Sequence, residues 1–464
     1  VALSYLAKPI NIVMDYIVPG EVASSTARIW VGSLVDSDAN PANTWLEHPP
    51  SGARWMLGAW DRWQGPDAAT FLRYQRIALT GLQPATRYPL QLRVAGQVRA
   101  QAEITTLPTT LPLMDEPPFI VLLGSCFSRL QDSGGQVGRT LTQLPSAAKP
   151  SVKFLVGDQV YLDSPWYRFI LPRSQAALAR GFFSQYVETW SQGGDVQGFN
   201  HLLRAGATYF CSDDHEFWNN APFPSSFAVN TWTDNGRNAW WTTARALYEA
   251  FQATGSRASL RVGLLEFLLL DTRLNRDGNR RAFLSVDDFA AFEGWVDGLT
   301  APGVLVLGQP VFANPAGIAG HIADWNLPDF AQYRELCRVL LNSRQSIVVL
   351  TGDVHYGRIA SATLRSGADL VEIIASPMAL VDRSAGGKWN AAPGRFPAVA
   401  LEGLAGVPVQ TNAGWNLFAN HFITLEFNQS GGGVRLRVRA WETEPPDTTS
   451  SSAVLAELTL KRNV

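Results

Sequence analysis

The chain has 464 residues but only three cysteines, Cys126, Cys211 and Cys337. An odd count at wide spacing excludes a disulfide framework and leaves room for one pair at most. The apolar runs beside Cys211 and Cys337 make buried free thiols the plain reading for both. No apolar run approaches the ~18 residues that a membrane-spanning helix needs. No stretch combines a basic start with the apolar core of a signal peptide. The chain opens on Val1, and either a lone initiator Met or an export signal is expected to have preceded it. Charge of one sign is also missing. A net charge of −2 gives bulk electrostatics no pull toward nucleic acid or an anionic membrane. No basic patch interleaves with aromatics. There is no Gly-x-Ser-x-Gly elbow, so serine-hydrolase chemistry has no support. "SGGQVGRT" (Ser133–Thr140) lacks the Lys-Ser/Thr ending of a phosphate-binding loop.

What is present is globular: 46% apolar and 17% charged residues, in a length that favours two domains. The two halves of the text differ in grammar. Residues 1–112 read as an all-β unit, with strand-like alternation in "TARIWVGS", "RYPLQLRVAG" and "GQVRAQAEITTLP". "LTGLQPATRYPLQLRV" (Leu79–Val94) resembles the tyrosine corner of immunoglobulin- and fibronectin type III-like sandwiches, with Tyr88 as the corner residue. The Pro- and Thr-rich "TTLPTTLPLMDEPPF" reads as the linker after it. From 113 to 464 short apolar runs recur, each ending in a polar cluster: "FIVLLGSC", "VKFLVGDQVYLD", "ATYFCSDDHE", "LLEFLLLDTR", "GVLVLGQPVF", "SIVVLTGDVH" and "LVEIIASP". Continuous Val/Ile/Leu runs are strands buried on both faces, and helical stretches between them predict an α/β fold. In such folds ligands sit beyond the carboxyl ends of the strands, so these clusters should meet. The sixteen tryptophans include the loop cluster "NAWW" (Asn238–Trp241), which lines a pocket or braces long loops.

The strand-end groups are Cys126; Asp158, Tyr161 and Asp163; Asp213, Asp214, His215, Glu216, Asn219 and Asn220; Asp271 and Arg273; and Asp353 and His355. The chain has only six histidines, and two of them fall here; His48, His201, His321 and His421 stand outside the clusters. So many carboxylates at one place repel each other unless cations intervene. Thiolate, phenolate and imidazole suit a transition metal, whereas carboxylate and amide oxygens suit a harder ion. The mixed set therefore predicts a two-metal site, with Asp158 as the best bridging carboxylate. Two metals a few Å apart are the usual arrangement for phosphoester hydrolysis, because they lower the pKa of a bound water and hold the phosphoryl oxygens.

The series "GSC", "GDQVYLD", "DDHEFWNN", "LLLDTR" and "TGDVH", in this order, resembles the PhoD-like (alkaline phosphatase D) family of the calcineurin-like metallophosphoesterases. The resemblance covers nearly the whole second domain, and the sandwich before it matches that family's N-terminal domain. It implies a four-layer α/β sandwich over 113–464, preceded by the immunoglobulin/fibronectin-like sandwich over 1–112. It also implies a phosphatase or phosphodiesterase that takes small-molecule phosphate esters; the charge balance and the lack of a basic patch separately predict no nucleic-acid binding. By position, Cys126 and Tyr161 would bind one metal, ferric iron in this family. Asp158 would bridge. Asp214 stands where many relatives have Asn and, with Asn220, would hold the second metal, which can be calcium. Asp353 stands where the superfamily has His, and His355 matches the final His. Zn2+, Mn2+ or Mg2+ are the other ions this donor set admits. His215 would assist the leaving group. Arg273 is family-typical, and phosphate binding and a buried salt bridge are equally compatible with its position. Two departures touch the pocket: Asn326 in "DWNLPDF" stands where the family has a Trp-Asp pair, and "DDFAAFEGWVDGL" lacks the family's Gln.

Each residue also has a bland reading. Gly-Asp is common turn chemistry, and Asp163 and Glu216 can simply hold loops. A catalytic thiol at Cys126 has no suitably placed His-Cys motif behind it. The rival functions are the same centre acting on phosphotriesters or other esters, and a non-catalytic binding protein on this fold. Comparing a phosphodiester with a carboxylic ester separates the first rival; missing ligands would favour the second.

Overall fold

The structure is a computed structural model that describes residues 14–34, 43–65, 71–193, 197–252, 255–317, 320, 324–379, 391–415, 420–443 and 452–462. Val1, His321 and part of the Ser/Thr run near the end lie outside the described residues.

The first eight strands form two four-stranded antiparallel sheets. One has the order Met14–Val22, Thr26–Leu34, Phe71–Thr80, Asp61–Gln64; the other Ala53–Leu57, Thr44–His48, Arg87–Val94, Gln97–Thr105. Side chains alternate as a pleat requires. Ile29 and Val31 join the core between the layers, whereas Trp30 and Leu34 point the other way, onto the helices of the second unit. The Tyr88 hydroxyl accepts from the Gln83 backbone N–H at 2.7 Å, tying the turn to its strand. The sandwich is seated on the rest of the chain by specific contacts. Trp30 Nε1 donates to the Ala250 carbonyl at 2.8 Å, and the Val22 N–H donates to the Tyr209 hydroxyl at 2.9 Å. Trp63 stacks on Phe183 at 5.1 Å between centroids.

The second unit holds two mixed sheets. The six-stranded sheet runs Ala207–Cys211, Val152–Val156, Phe119–Gly124, His421–Ser430, Gly433–Glu442, Ser452–Leu460, with the first three strands parallel. The seven-stranded sheet is parallel through Leu265–Leu270, Gly303–Val306, Ile347–Thr351 and Asp369–Ile374, with antiparallel strands at its edges. Alternation along each strand sets the layers. Val121, Leu123, Phe154 and Val156 meet Phe267, Leu269, Val304 and Leu350 in a core between the sheets. Leu122 and Leu155 face outward, onto helices that include Gln175–Trp190 and Asp234–Phe251. Leu268, Leu305 and Val349 face outward on the other sheet, onto Val286–Gly298 and Tyr333–Leu341. This burial on both faces is why the strands read as unbroken apolar runs.

One position in those runs is not apolar. Lys153 sits mid-strand and fully buried, and its ammonium donates to the carbonyls of Ala205 and Gly206, at the C-terminal end of the helix Gly198–Arg204. Burial pushes its pKa down to about 7.

Candidate metal centre

The carboxyl ends of five strands converge. Cys126 follows Phe119–Gly124, and Asp158 and Tyr161 follow Val152–Val156. Asp213 to Glu216 follow Ala207–Cys211, Asp353 and His355 follow Ile347–Thr351, and Ser376 follows Asp369–Ile374.

Two groups of ligand atoms form there. Cys126, Asp158 and His355 make one, and Asp158, Asp214 and His215 make the other, with the atoms in each group within 4.8 Å of one another. Asp158 belongs to both. Its Oδ2 lies 3.5 Å from Cys126 Sγ, and its Oδ1 accepts the His215 backbone N–H at 3.2 Å.

Backbone conformation singles out the same residues. Nine described non-glycine residues have positive φ, and five of them are Cys126 (55°), Asp158 (59°), Asn220 (70°), Asp353 (67°) and His355 (48°). A left-handed backbone is costly for a residue with a side chain, and it persists only where the surroundings impose it. Cys126, Asp158, Asp353 and His355 stand directly past the ends of their strands, where the chain reverses at the site.

Buried carboxylates impose it. Glu216 is fully buried and accepts four backbone N–H groups: Asp158 at 2.8 Å, Gln159 at 2.5 Å, Val160 at 3.3 Å and Asp213 at 3.0 Å. Asp271 accepts from Ser212 N at 2.8 Å and from Arg273 N and Leu274 N at 2.9 Å each, fixing the neighbouring loop. Both act as multi-point clamps on loops that have no sheet partners of their own.

The electrostatics show what the arrangement demands. Burial first, then the neighbouring carboxylates of Asp214, Asp213 and Glu216, push Asp158 well above the usual carboxylate range. Burial and the carboxylates around it do the same to Asp353. Cys126 and Tyr161 are pushed up by burial and by Asp158. Burial alone would lower the His215 pKa, but Asp163, Asp214 and Asp158 together raise it well above its ordinary value. A cation would supply the charge that these groups otherwise take up as protons. Two further atoms fit such a cation. Tyr161 Oη and Asn220 Oδ1 are buried with no hydrogen-bond partner among the described residues. Buried polar atoms are rarely left so. The mixed donor set of sulfur, phenol, imidazole and carboxylate suits metal ligation.

The remaining expected residues fall around this centre in different ways. Tyr161 packs its ring on His215 at 4.3 Å between centroids. His215 Nδ1 lies 2.8 Å from Asp163 Oδ1, and Asp163 Oδ2 is held by the Asn219 N–H at 2.7 Å. Asp163 is thus the residue that orients the imidazole. The Asn220 N–H donates to Asp214 Oδ2 at 2.7 Å. Asp353 reaches Cys126 Sγ only through its carbonyl, at 3.3 Å; its carboxylate accepts from Gln309 Nε2 at 3.1 Å and stands in neither group.

For Arg273 the geometry selects one of the two readings. The guanidinium is fully buried. Nε donates to Asp213 at 2.7 Å, Nη1 to the Ala221 carbonyl at 2.7 Å and Asp324 at 3.1 Å, and Nη2 to Asp324 at 2.6 Å and to Asp213. All five N–H donors of a guanidinium are engaged, so none remains for phosphate. Arg273 is a salt-bridge strut between two loops, and the phosphate-binding role expected as its alternative falls away on that ground. Asn326, at the charge-removing departure, caps the turn Leu327–Asp329.

Sequence reasoning passed over Ser376 and Gln309. Ser376 Oγ donates to Cys126 Sγ at 3.2 Å and accepts the His355 N–H at 3.0 Å. The signal was their place at strand ends, in "ASP" and "GQP", but serine and glutamine carry no charge to mark them.

No protein-family model and no curated protein sequence matches the chain. Solved structures do. The structure of PhoD superposes with a TM-score of 0.64 at 15% identity, covering 97% of this chain and 90% of that one. The purple acid phosphatase PPD1 from yellow lupin (Lupinus luteus) seeds superposes with a TM-score of 0.58 at 11% identity, covering 97% of this chain and 75% of that one. The chain therefore shares its fold with PhoD and with that purple acid phosphatase.

Proposed function

We propose that the chain is a metal-dependent phosphoesterase acting on small-molecule phosphate esters, with an N-terminal fibronectin-like sandwich over 1–112 and the catalytic domain over 113–464. The observation that carries this reading is the pair of ligand groups that share Asp158. A single carboxylate common to two clusters is what a bridged two-cation site requires. The fold likeness to two phosphatases supports it.

In this reading Cys126, Tyr161 and His355 would hold one cation, Asp214 and Asn220 the other, and Asp158 both, while His215, which stands beside Asp158 and Asp214, keeps its free ring nitrogen for proton transfer. Asp353 shapes the site through its carbonyl and its bond to Gln309. Fe3+ with Ca2+ is the pair we favour, since phenolate and thiolate suit iron and the amide and carboxylate oxygens suit calcium. When bound, such a pair lowers the pKa of water and neutralises phosphoryl charge. His215 does the proton work. Asp163 holds Nδ1, so Nε2 is the atom that carries a proton to the departing alkoxide. Asp163, which bonds the ring and is not among the proposed ligands, favours the charged imidazole that an acid needs at the start of the step. Burial of the clamp Glu216 keeps this geometry in place before substrate arrives.

The test is hydrolysis by metal-loaded protein of bis-p-nitrophenyl phosphate, p-nitrophenyl phosphate and p-nitrophenyl acetate. Turnover of a phosphate ester that far exceeds turnover of the acetate supports the reading. Preference for the acetate, or no phosphate ester hydrolysis, refutes it.

A further inference from the structure

We infer that a cavity opening beside Asn220 is a subsite for a planar aromatic ester group, and that the substrates are phosphodiesters of the nucleotide kind, with the base seated against Trp232. This rests on the phosphoesterase reading and adds the substrate class.

Asn220 is the joint between centre and cavity. Its N–H holds Asp214, its Nδ2 donates to the Gly320 carbonyl at 3.0 Å, and its Oδ1 is the buried, unpartnered atom already described. The same residue lines a cavity of about 720 Å³ with Phe223, Ser225, Trp232, Arg280 and Trp325. That size suits a small organic ligand rather than water alone. Asn220 belongs both to the centre and to the wall of this cavity, so the cavity adjoins the place where bound cations would hold a phosphoryl group.

The walls state what fits. Trp232 is 58% exposed, although large aromatics are usually covered. Its Nε1 is spent on the Ser225 carbonyl at 2.8 Å, so the indole offers a ring face and no donor. The loop beneath is rigid: the Ser225 N–H is held by Thr231 Oγ1 at 2.8 Å, and Thr231 Oγ1 donates to the Ala228 carbonyl at 2.6 Å. Across the cavity Phe223 meets Trp325 edge-on, with centroids 6.0 Å apart at 62°. The Arg280 guanidinium lies 4.3 Å from the Trp325 ring centroid, on a left-handed backbone of φ 56°. An exposed indole face in a cavity that Arg280 also lines matches a flat ring that bears hydrogen-bond acceptors. A nucleobase has both. A glycerol or sugar-alcohol substituent would leave the exposed indole uncovered and gain nothing from stacking.

The experiment compares two diesters with one leaving group: the p-nitrophenyl ester of thymidine monophosphate and methyl p-nitrophenyl phosphate. Only the retained ester differs, so leaving-group chemistry cancels in the ratio of their kcat/KM values. The ratio is expected to favour the nucleotide by roughly tenfold or more, from the stacking of one base. Trp232→Ala is expected to lower that ratio about fivefold or more, Trp232→Phe to restore most of it, and Arg280→Gln to lower it in part. Equal kcat/KM for the two diesters, or a ratio unmoved by Trp232→Ala, overturns the subsite and leaves the phosphoesterase reading standing. Hydrolysis of neither diester overturns both.

Discussion

Glu216 is not a proposed ligand, yet the centre should fail without its charge. Its two oxygens accept two backbone N–H groups each: Asp158 and Asp213 on one, Gln159 and Val160 on the other. Glu216→Gln keeps the shape but retains one acceptor oxygen. The amide nitrogen then faces two N–H donors that have no alternative partner in a fully buried site. An unsatisfied buried donor costs about 1–3 kcal/mol, so the two together cost about 2–6 kcal/mol. That is a large share of the ~5–15 kcal/mol stability typical of a domain. Either orientation of the amide frees backbone at Asp158 or at its neighbour Gln159, and the left-handed φ of 59° at Asp158 depends on that segment being held. The variant should therefore lose metal affinity together with stability. Urea unfolding followed by circular dichroism, with elemental analysis of the same samples, checks this. A variant within about 0.5 kcal/mol of wild type and with full metal content would refute the clamp.

Three other outcomes follow from the same geometry. Arg273→Leu leaves the buried Asp213 without its cationic partner and takes from Asp324 its nearest one, and should destabilise by about 3–5 kcal/mol, measured by urea unfolding, while KM for a phosphate ester changes little where the variant is folded; a raised KM at unchanged stability would return Arg273 to the phosphate. His215→Ala should keep its metal content and lose about 10²–10⁴-fold in kcat, and Asp163→Asn should lose part of the same factor; a fully active His215→Ala would remove its role. Lys153 is depressed from 10.5 to about 7 by burial, so between those pH values the unfolded state binds the extra proton and stability rises with pH. Below about pH 7 the burial penalty is fully present, and Lys153→Met should stabilise there by roughly 1–4 kcal/mol and flatten that rise; parallel stability curves for the two proteins would refute it.

Much of this was legible in the sequence because burial on both faces writes itself as apolar runs. "FIVLLG" and "SIVVLT" announce strands, and the polar residues after them announce a strand-end site. Their meeting in space followed from that rule and the described structure brings Cys126, Asp158, Asp214, His215 and His355 together. Three things were not legible. Arg273 could not be assigned, because its partner Asp324 lies on a distant loop and only the fold brings the two within 2.6 Å. The left-handed backbones of Cys126 and His355 had no glycine to signal them. Lys153 in "VKFLV" looks like the polar position of an alternating strand, whereas it is a buried cation meeting a helix end that is remote in sequence.

The most direct test of the central claim is the metal content of the purified chain and of Asp158→Asn, by elemental analysis after equilibration with iron, calcium, zinc and manganese and removal of loosely held ions. About two tightly held cations per wild-type chain are expected, with most of both lost from Asp158→Asn, because one carboxylate serves both groups. Wild-type protein that retains no cation, or Asp158→Asn that retains both, would contradict it.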